Sequence, residues 1–275
     1  MSLTVTALAP TRAISAGDVV YAAKPSVTVY VDSNTREPET QLHYGEPFTV
    51  LENRGLWLYG HAANGLDHGF FVRRADMVQS VGVTHRVVIP LAPVYTAPDT
   101  RSTVVLELPM NARVGVRRES SERGWTRIVE GYVASSHIGF LYVPIGDTAR
   151  IASLFLGTPY RWGGRSYRGI DCSGLIKEAV LMSHRLPAKH SANWMAEHLG
   201  EPLPLSQEPA HLQRNDLVFW DGHVALMLDE RRAIHAAGGD IKLTVEQKLA
   251  DIIRDRNKKK KDPIRAFRRL PPPMP

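Results

Sequence analysis

The sequence contains a single cysteine, Cys172, among its 275 residues. One cysteine excludes an intramolecular disulfide and any cysteine-rich zinc site. The sequence also lacks an apolar run long enough to cross a bilayer. Its first twenty residues lack the basic and apolar regions of a secretory signal. These absences predict a soluble cytoplasmic protein whose thiol stays reduced.

Acidic residues are scarce in one segment, and the positive charge of the chain is concentrated there. The formal net charge is +6, and residues 254–269 alone hold nine basic and two acidic residues. Because the remaining chain is close to neutral, we expect a solvated loop and tail, with no nucleic-acid partner. The sequence assigns no role to the lysine run at 258–261.

Two stretches of short alternating apolar runs, residues 25–80 and 82–144, predict small antiparallel β domains after a lead-in segment at 1–24. The second stretch repeats positions of the first: Leu42 with Leu106, Val50 with Val114, Trp57 with Trp125, and Gly69 and Phe70 with Gly131 and Tyr132. The repeat indicates duplicated small β-barrels. Two unrelated β-rich stretches that share scattered valines are the alternative.

Residues 147–271 place helices before strands, an order typical of α+β folds. Asp147 can cap a helix that ends at Gly157, a second helix runs from Cys172 to about Ser183, and Ser191 can cap a third. Strands are predicted at 216–220, 223–229 and 232–238.

Cys172 follows a glycine-rich, aromatic loop and begins an apolar helix. The helix dipole and the first backbone N–H groups favour a thiolate there, so we expect a nucleophile with a lowered pKa. A cysteine nucleophile needs a base, commonly histidine. His223 opens one predicted strand and His235 lies in the next, and both face one side only if an odd loop, such as 229–231, joins them. The alternative is an inert buried cysteine with core histidines.

Three blocks in order, PYRWGG…GIDCSGLI, NDLVFWDGHVALMLD and AIHAAG, resemble the NlpC-type cell-wall peptidase family of papain-like cysteine peptidases. The order of L-x-x-G-x-x-x-V, GW and GYV in the preceding stretches resembles bacterial SH3-type domains. The resemblance implies an α+β papain-like NlpC peptidase domain preceded by two small SH3-like β-barrels.

The same resemblance implies roles for individual residues. Cys172 is the nucleophile, His223 the general base and acid, and His235 the polar residue that orients the His223 ring. Tyr160 stands beside the thiol and aids oxyanion stabilisation. Substrate contacts are implied for Trp162, Asp171, Ser173, Ser191 and Glu39. The mechanism requires no metal or organic cofactor.

The implied activity is hydrolysis of γ-D-glutamyl–diamino acid bonds in short peptidoglycan peptides, through a thioester acyl-enzyme, during cell-wall recycling. The chain departs from the family where Leu66 replaces a tyrosine and His190 replaces an acid that together hold the substrate amine. Strict selection for a free L-alanine amine is therefore open, as is the preference for lysine or diaminopimelate.

Two other functions are compatible with the sequence. One is a catalytically weak or inactive protein that binds murein peptides. The other is an amidase or acyltransferase that uses the same triad.

Overall fold

The structure, a computed structural model, describes residues 13–34, 37–62, 69–79, 82–122, 124–184, 186, 188–206, 211–260 and 262–272. The chain divides into two compact units, Met1–Val143 and Pro144–Pro275. The first is built from strands, whereas the second combines a sheet with the four α-helices of the described residues. None of these helices has the length and apolar character that crossing a bilayer requires. The fold is mixed α+β.

The first part of unit one is a seven-stranded antiparallel sheet in the order β3-β2-β6-β5-β4-β1-β7. Its strands are β1 (Val19–Ala22), β2 (Ser26–Tyr30), β3 (Pro38–His43), β4 (Pro47–Arg54), β5 (Trp57–Ala62), β6 (Phe70–Arg73) and β7 (Met77–Val78). Alternate residues such as Val27 and Val29 point into a core with Phe48 and Leu58.

The second part of unit one contains a five-stranded sheet, β10-β9-β14-β13-β12, and a three-stranded sheet, β11-β8-β15. Its strands are β8 (His85–Val87), β9 (Leu91–Tyr95), β10 (Val104–Pro109), β11 (Arg113–Val114), β12 (Val116–Glu122), β13 (Trp125–Ile128), β14 (Gly131–Ala134) and β15 (Ile138–Phe140). A 3₁₀ turn follows β14, as another follows β6 in the first part.

The two parts of unit one repeat one arrangement. The order β3-β2-β6-β5-β4 corresponds strand for strand to β10-β9-β14-β13-β12. Trp57 stacks edge-on against Tyr30 with ring centroids 5.4 Å apart, and Trp125 does the same against Tyr95 at 5.4 Å. Among the described residues each sheet keeps two edge strands, so closed barrels are not confirmed.

One turn fixes how the two copies align. Gly45 (φ +73°) in the first copy and Asn111 (φ +63°) in the second occupy corresponding turns. Both adopt the left-handed conformation, which glycine and asparagine adopt most readily. Counting back three residues pairs Leu42 with Leu108, whereas the sequence comparison paired it with Leu106. That alignment was wrong by two residues because alternating apolar residues match equally well at any even offset.

Unit two is built around a six-stranded antiparallel sheet in the order β18-β23-β19-β20-β21-β22, beside a short hairpin of β16 and β17. The strands are β16 (Arg165–Ser166), β17 (Gly169–Ile170), β18 (Glu201–Leu203), β19 (Asp216–Trp220), β20 (His223–Met227), β21 (Arg232–Ala237), β22 (Leu243–Lys248) and β23 (Ala266–Arg269). The helices are α1 (Thr148–Ser153), α2 (Cys172–Ser183), α3 (Ala192–His198) and α4 (Leu249–Lys260).

The predicted helix starts are confirmed by their caps. The Asp147 carboxylate accepts a hydrogen bond from the backbone N–H of Arg150, 2.6 Å away, and begins α1. This helix ends at Ser153, and turns continue the chain to Gly157. Helix α2 spans the predicted residues, and Ser191 caps α3.

The prediction of a basic loop and tail at 254–269 is wrong. Helix α4 and strand β23 occupy most of this segment. Leu249 and Ile252 of α4 and Phe267 of β23 are buried in one core with Val218 and Ala225. This apolar side holds the segment in the fold, while Arg254, Lys258 and Arg265 are exposed.

Candidate active site

The start of α2 is held by a buried carboxylate. Asp171, the N-cap residue, accepts hydrogen bonds from the backbone N–H of Gly174 (2.7 Å) and of Gly163 (2.8 Å). A Cβ at Gly174 would lie 2.3 Å from the carbonyl oxygen of Gly164, so this position needs glycine. The glycine-rich loop and the first helical turn are thereby locked together, and Cys172 projects from that turn.

Two histidines meet on the neighbouring sheet. The backbone N–H of Leu228 donates to the carbonyl oxygen of Arg232 (2.8 Å), which leaves the three-residue loop 229–231 between β20 and β21. This odd loop was predicted and is confirmed. It turns both imidazoles to one side, with His223 Nε2 2.8 Å from His235 Nδ1.

The hydrogen-bonded chain continues to a residue that the sequence analysis missed. His235 Nε2 lies 2.8 Å from Oε1 of Gln247, on β22. Burial lowers the pKa of His235, and the charge of Arg256 lowers it further, against the Gln247 hydrogen bond. His235 is therefore neutral around pH 7. Alternation along β22 would have indicated Gln247 if this strand had been assigned from the sequence.

The Cys172 thiol is buried and protonated at rest. Its Sγ donates to the carbonyl oxygen of Gly222, at 3.8 Å. Burial raises the pKa of Cys172 to about 12 and the Asp171 charge adds to the rise, while backbone N–H groups of Val224 and Ser173 oppose it. The prediction of a lowered pKa was wrong, because burial and the capping carboxylate outweigh the helix dipole.

Asp171 has a further partner, His190, on the loop that precedes α3. His190 Nε2 lies 2.7 Å from Asp171 Oδ1, and their side chains are only 4% and 8% exposed. Ser173 Oγ donates to the same oxygen, at 3.0 Å. Burial alone would raise the pKa of Asp171, but the charge and hydrogen bond of His190, with the other donors, hold it below its ordinary value. The structure brings together two residues that the sequence analysis treated separately.

Tyr160 lies beside the thiol in a short bridge between strands. It pairs with Ile170 across a parallel bridge, and its N–H donates to the carbonyl oxygen of Lys242 (2.8 Å). Burial raises the pKa of its phenol, and negative charge on Cys172 and Asp171 raises it further. The phenol is therefore a neutral hydrogen-bond donor near the nucleophile.

The other residues predicted to contact the substrate differ in exposure, in hydrogen bonding and in the unit to which they belong. Trp162 is 63% exposed at the tip of the glycine-rich loop. The Ser191 hydroxyl is occupied as the cap of α3, accepting from Trp194 N–H at 3.3 Å. Glu39 lies in β3 of the other unit. Leu66 falls outside the described residues.

Arg256 places a positive charge near Cys172 and His235, which the sequence did not predict. Arg256 lies over the Trp220 ring, 5.3 Å from its centroid, and pairs with Asp262. Its charge lowers the pKa of both Cys172 and His235. The sequence predicted a loop around this arginine and therefore did not indicate its position near the site.

A cysteine at the start of a helix, with two hydrogen-bonded histidines on the neighbouring antiparallel sheet, is the arrangement expected of a hydrolase with a thiol nucleophile. Residues 157–258 match the model of the NlpC/P60 family. The chain thus contains an NlpC/P60 family peptidase domain and is a cysteine peptidase.

The names of curated relatives agree with this assignment, and a solved structure shares the fold. Dipeptidyl-peptidase 6 of Lysinibacillus sphaericus is 26% identical over 233 residues, 74% of this chain and 82% of that protein. Gamma-D-glutamyl-L-lysine dipeptidyl-peptidase of Bacillus cereus is 22% identical over 235 residues, 74% of this chain and 68% of that protein. A crystal structure of an NlpC/P60 family protein from Bacillus cereus superposes with a TM-score of 0.72 at 18% identity, covering 92% of this chain and 100% of that one. This last similarity concerns the fold alone.

Proposed function

We propose that this cysteine peptidase hydrolyses γ-D-glutamyl–diamino acid bonds in short peptidoglycan peptides. The observation that carries the proposal is the 2.8 Å contact between His223 and His235 beside the buried Cys172. The bond type is supported by the relative from Bacillus cereus, whose name specifies a gamma-D-glutamyl-L-lysine dipeptidyl-peptidase.

In the proposed mechanism, His223 moves the protons while Cys172 carries the acyl group. His223 takes the proton of the Cys172 thiol as the sulfur attacks the γ-glutamyl carbonyl carbon. His223 then protonates the leaving amine of the diamino acid, which leaves a thioester on Cys172. Water, deprotonated by His223, hydrolyses the thioester and regenerates the thiol. Tyr160, held as a neutral donor, stabilises the oxyanion with the Cys172 backbone N–H.

The substrate contacts are proposed from the exposure and hydrogen bonds of the loop residues. Trp162 is exposed and available as an apolar wall for the peptide. Asp171 and Ser173 already bond to each other, so they would contact the substrate through their remaining acceptor positions. Ser191 and Glu39 complete the proposed set.

The two parts of unit one are proposed to be SH3-type domains that restrict the enzyme to short peptides. Their shared strand order and matching Trp–Tyr pairs support one duplicated domain type. The proposed boundaries are 25–80 and 82–144, with the peptidase domain at 147–271 after a lead-in segment at 1–24.

Selection of the substrate amine is proposed to be relaxed. The His190 ring neutralises part of the Asp171 charge where an ammonium would need an unpaired acid. We therefore expect peptides with a blocked amine to be cleaved alongside those with a free one.

The proposed activity is tested by incubating the enzyme with L-Ala-γ-D-Glu-diaminopimelate, its lysine counterpart, and N-blocked or glycan-linked forms. Wild type should release the free diamino acid, and Cys172→Ala should not. Equal release by both proteins would contradict the hydrolase proposal. Cleavage of only the free-amine peptide would contradict relaxed selection while leaving the chemistry intact.

The same assay separates two alternatives. A protein that binds murein peptides without cleaving them would give saturable binding and no released amino acid from either variant. An amidase or acyltransferase would transfer or release a different group, which mass spectrometry of the products identifies. The paired histidines favour the hydrolase over the binding protein.

A cytoplasmic place in the recycling of recovered peptides is part of the proposal and rests on the sequence alone. Fractionation of cells that produce the protein tests it. Activity confined to the cell envelope or medium would contradict a recycling role.

A further inference from the structure

We propose that Gln247 is a positioning residue that acts through His235 to keep the proton-accepting nitrogen of His223 at Nδ1. The proposal rests on the proposed function, since it assigns Cys172 and His223 their roles. It adds a fourth member to the chain of Cys172, His223 and His235.

Gln247 contacts His235 from the neighbouring strand. Gln247 lies on β22 two residues beyond Val245, which pairs with His235 across the strands, so its side chain reaches the same face. Its Oε1 is 2.8 Å from His235 Nε2. An amide oxygen only accepts hydrogen bonds, so Nε2 of His235 must carry a proton.

The His235 ring is neutral, and this fixes the direction of its hydrogen bond to His223. This ring is 6% exposed, and the Arg256 guanidinium is the cation that acts on it from α4. Both features disfavour an imidazolium. A neutral ring with its proton on Nε2 has a lone pair on Nδ1, which accepts from Nε2–H of His223 at 2.8 Å. His223 then accepts further protons at Nδ1 alone.

The consequence is a single productive tautomer of the base. Without an acceptor at 247, His235 can move its proton to Nδ1 and donate it to His223 Nε2. That arrangement puts the His223 proton on Nδ1, where the thiol proton has to arrive. A wrong tautomer directly on a catalytic base costs roughly 10⁴-fold in kcat in a serine protease. Because both tautomers would coexist here, we expect a smaller loss of at least about tenfold.

Two variants of the full chain test whether residue 247 acts as a hydrogen-bond acceptor for His235 or only fills space. Gln247→Met keeps the side-chain length and removes the acceptor, so kcat should fall at least about tenfold across pH 6 to 9 with KM within about twofold. Gln247→Glu keeps the acceptor and adds charge that raises the pKa of His235. Its kcat should approach wild type at alkaline pH and fall towards acidic pH, as His235 becomes a cation that donates from Nδ1.

Glu246→Gln is the matched control, because Glu246 is the neighbouring residue of β22 and pairs with Arg232 on the exposed side. It should leave kcat and its pH profile unchanged. Wild-type kcat in Gln247→Met, or a loss in Gln247→Glu that is equal at every pH, would overturn the proposal.

A spectroscopic measurement judges the tautomers without any turnover. In ¹⁵N-histidine-labelled wild type, both His223 and His235 should carry their proton on Nε2, with signals assigned through His235→Ala. A proton on Nδ1 of His235 in wild type would overturn the proposal even if the variants fail to fold. If the wild type releases no diamino acid, the proposed function fails while this spectrum still decides the tautomer.

Discussion

In the proposed mechanism, Cys172 is stored as a thiol and becomes a nucleophile only when His223 accepts its proton. Its resting proton points to the carbonyl oxygen of Gly222, and its pKa is raised by burial and by the Asp171 charge. The proposed mechanism therefore requires this proton to leave during attack, when His223 accepts it. Such storage limits reactions of the sulfur with other electrophiles, because the thiolate is the reactive form.

Iodoacetamide labelling of Cys172 should be slow in the folded enzyme. With the pKa raised to about 12, the labelling rate at pH 8 should be at least about 100-fold below that of the same cysteine in urea, whose pKa is about 8.5. The rate should keep rising above pH 9. Labelling in the folded state that reaches its plateau below pH 7 would indicate a preformed thiolate and contradict the result expected here.

His190 should stabilise the fold through Asp171. His190→Leu leaves a buried carboxylate without this partner and should lower the free energy of unfolding by about 3–5 kcal/mol, whereas His190→Gln keeps a donor and should cost less. Urea denaturation at pH 7 measures both. Equal stability of wild type and His190→Leu would show that the contact contributes nothing.

The pH dependence of the same contact has a defined sign. The pKa of Asp171 lies below its ordinary value, so its stabilisation is present above about pH 4 and is lost as pH falls through the folded-state pKa. In His190→Leu that pKa rises, and the loss should begin at higher pH.

At the scale of elements, helix-capping residues and the alternation of apolar residues along strands predicted most of the helices and strands around the site. The caps at Asp147 and Ser191, helix α2 and three strands of the sheet follow from local chemistry. Helix α4 was not predicted because most of its residues are charged or polar and only a few apolar residues form its buried side. Gln247 and the Asp171–His190 pair depend on strand register and loop packing, which one sequence does not specify.

Asp147 should contribute through both its cap and its ion pair. Asp147→Ala removes the acceptor for the first turn of α1 and the two contacts with Arg214, at 2.9 and 3.0 Å, and should cost about 1–2 kcal/mol. Asp147→Asn keeps a capping oxygen and loses the charge, so it should cost less than about 1 kcal/mol. Chemical denaturation compares the two, and an equal loss in both would assign the effect to charge alone.

At the scale of the whole molecule, two units each contain a buried core. Tyr44 joins the two parts of unit one, since its carbonyl oxygen accepts from Arg113 N–H at 2.7 Å and its hydroxyl donates to Glu130. Unit two has its own cluster around Val218 and Phe267. We therefore expect unit one to unfold as one body and unit two as another.

Calorimetry with one core variant in each unit tests this expectation. Leu58→Ala should remove about 2–5 kcal/mol from unit one and lower one thermal transition. Phe267→Ala should remove about 3–5 kcal/mol from unit two and lower the other. A single transition that both variants shift alike would mean that the units unfold together.

Strand β23 lies between β18 and β19, although every other strand of its sheet precedes it in the chain. During synthesis the ribosome therefore releases β20 and β21, with their two histidines, before β23, the strand that pairs with β19 and completes the sheet. The thiol on α2 is made earlier still. A nascent chain stalled before residue 266 should thus carry every side chain of the proposed catalytic set and yet hydrolyse nothing, so activity should appear only once the whole peptidase sheet has left the exit tunnel.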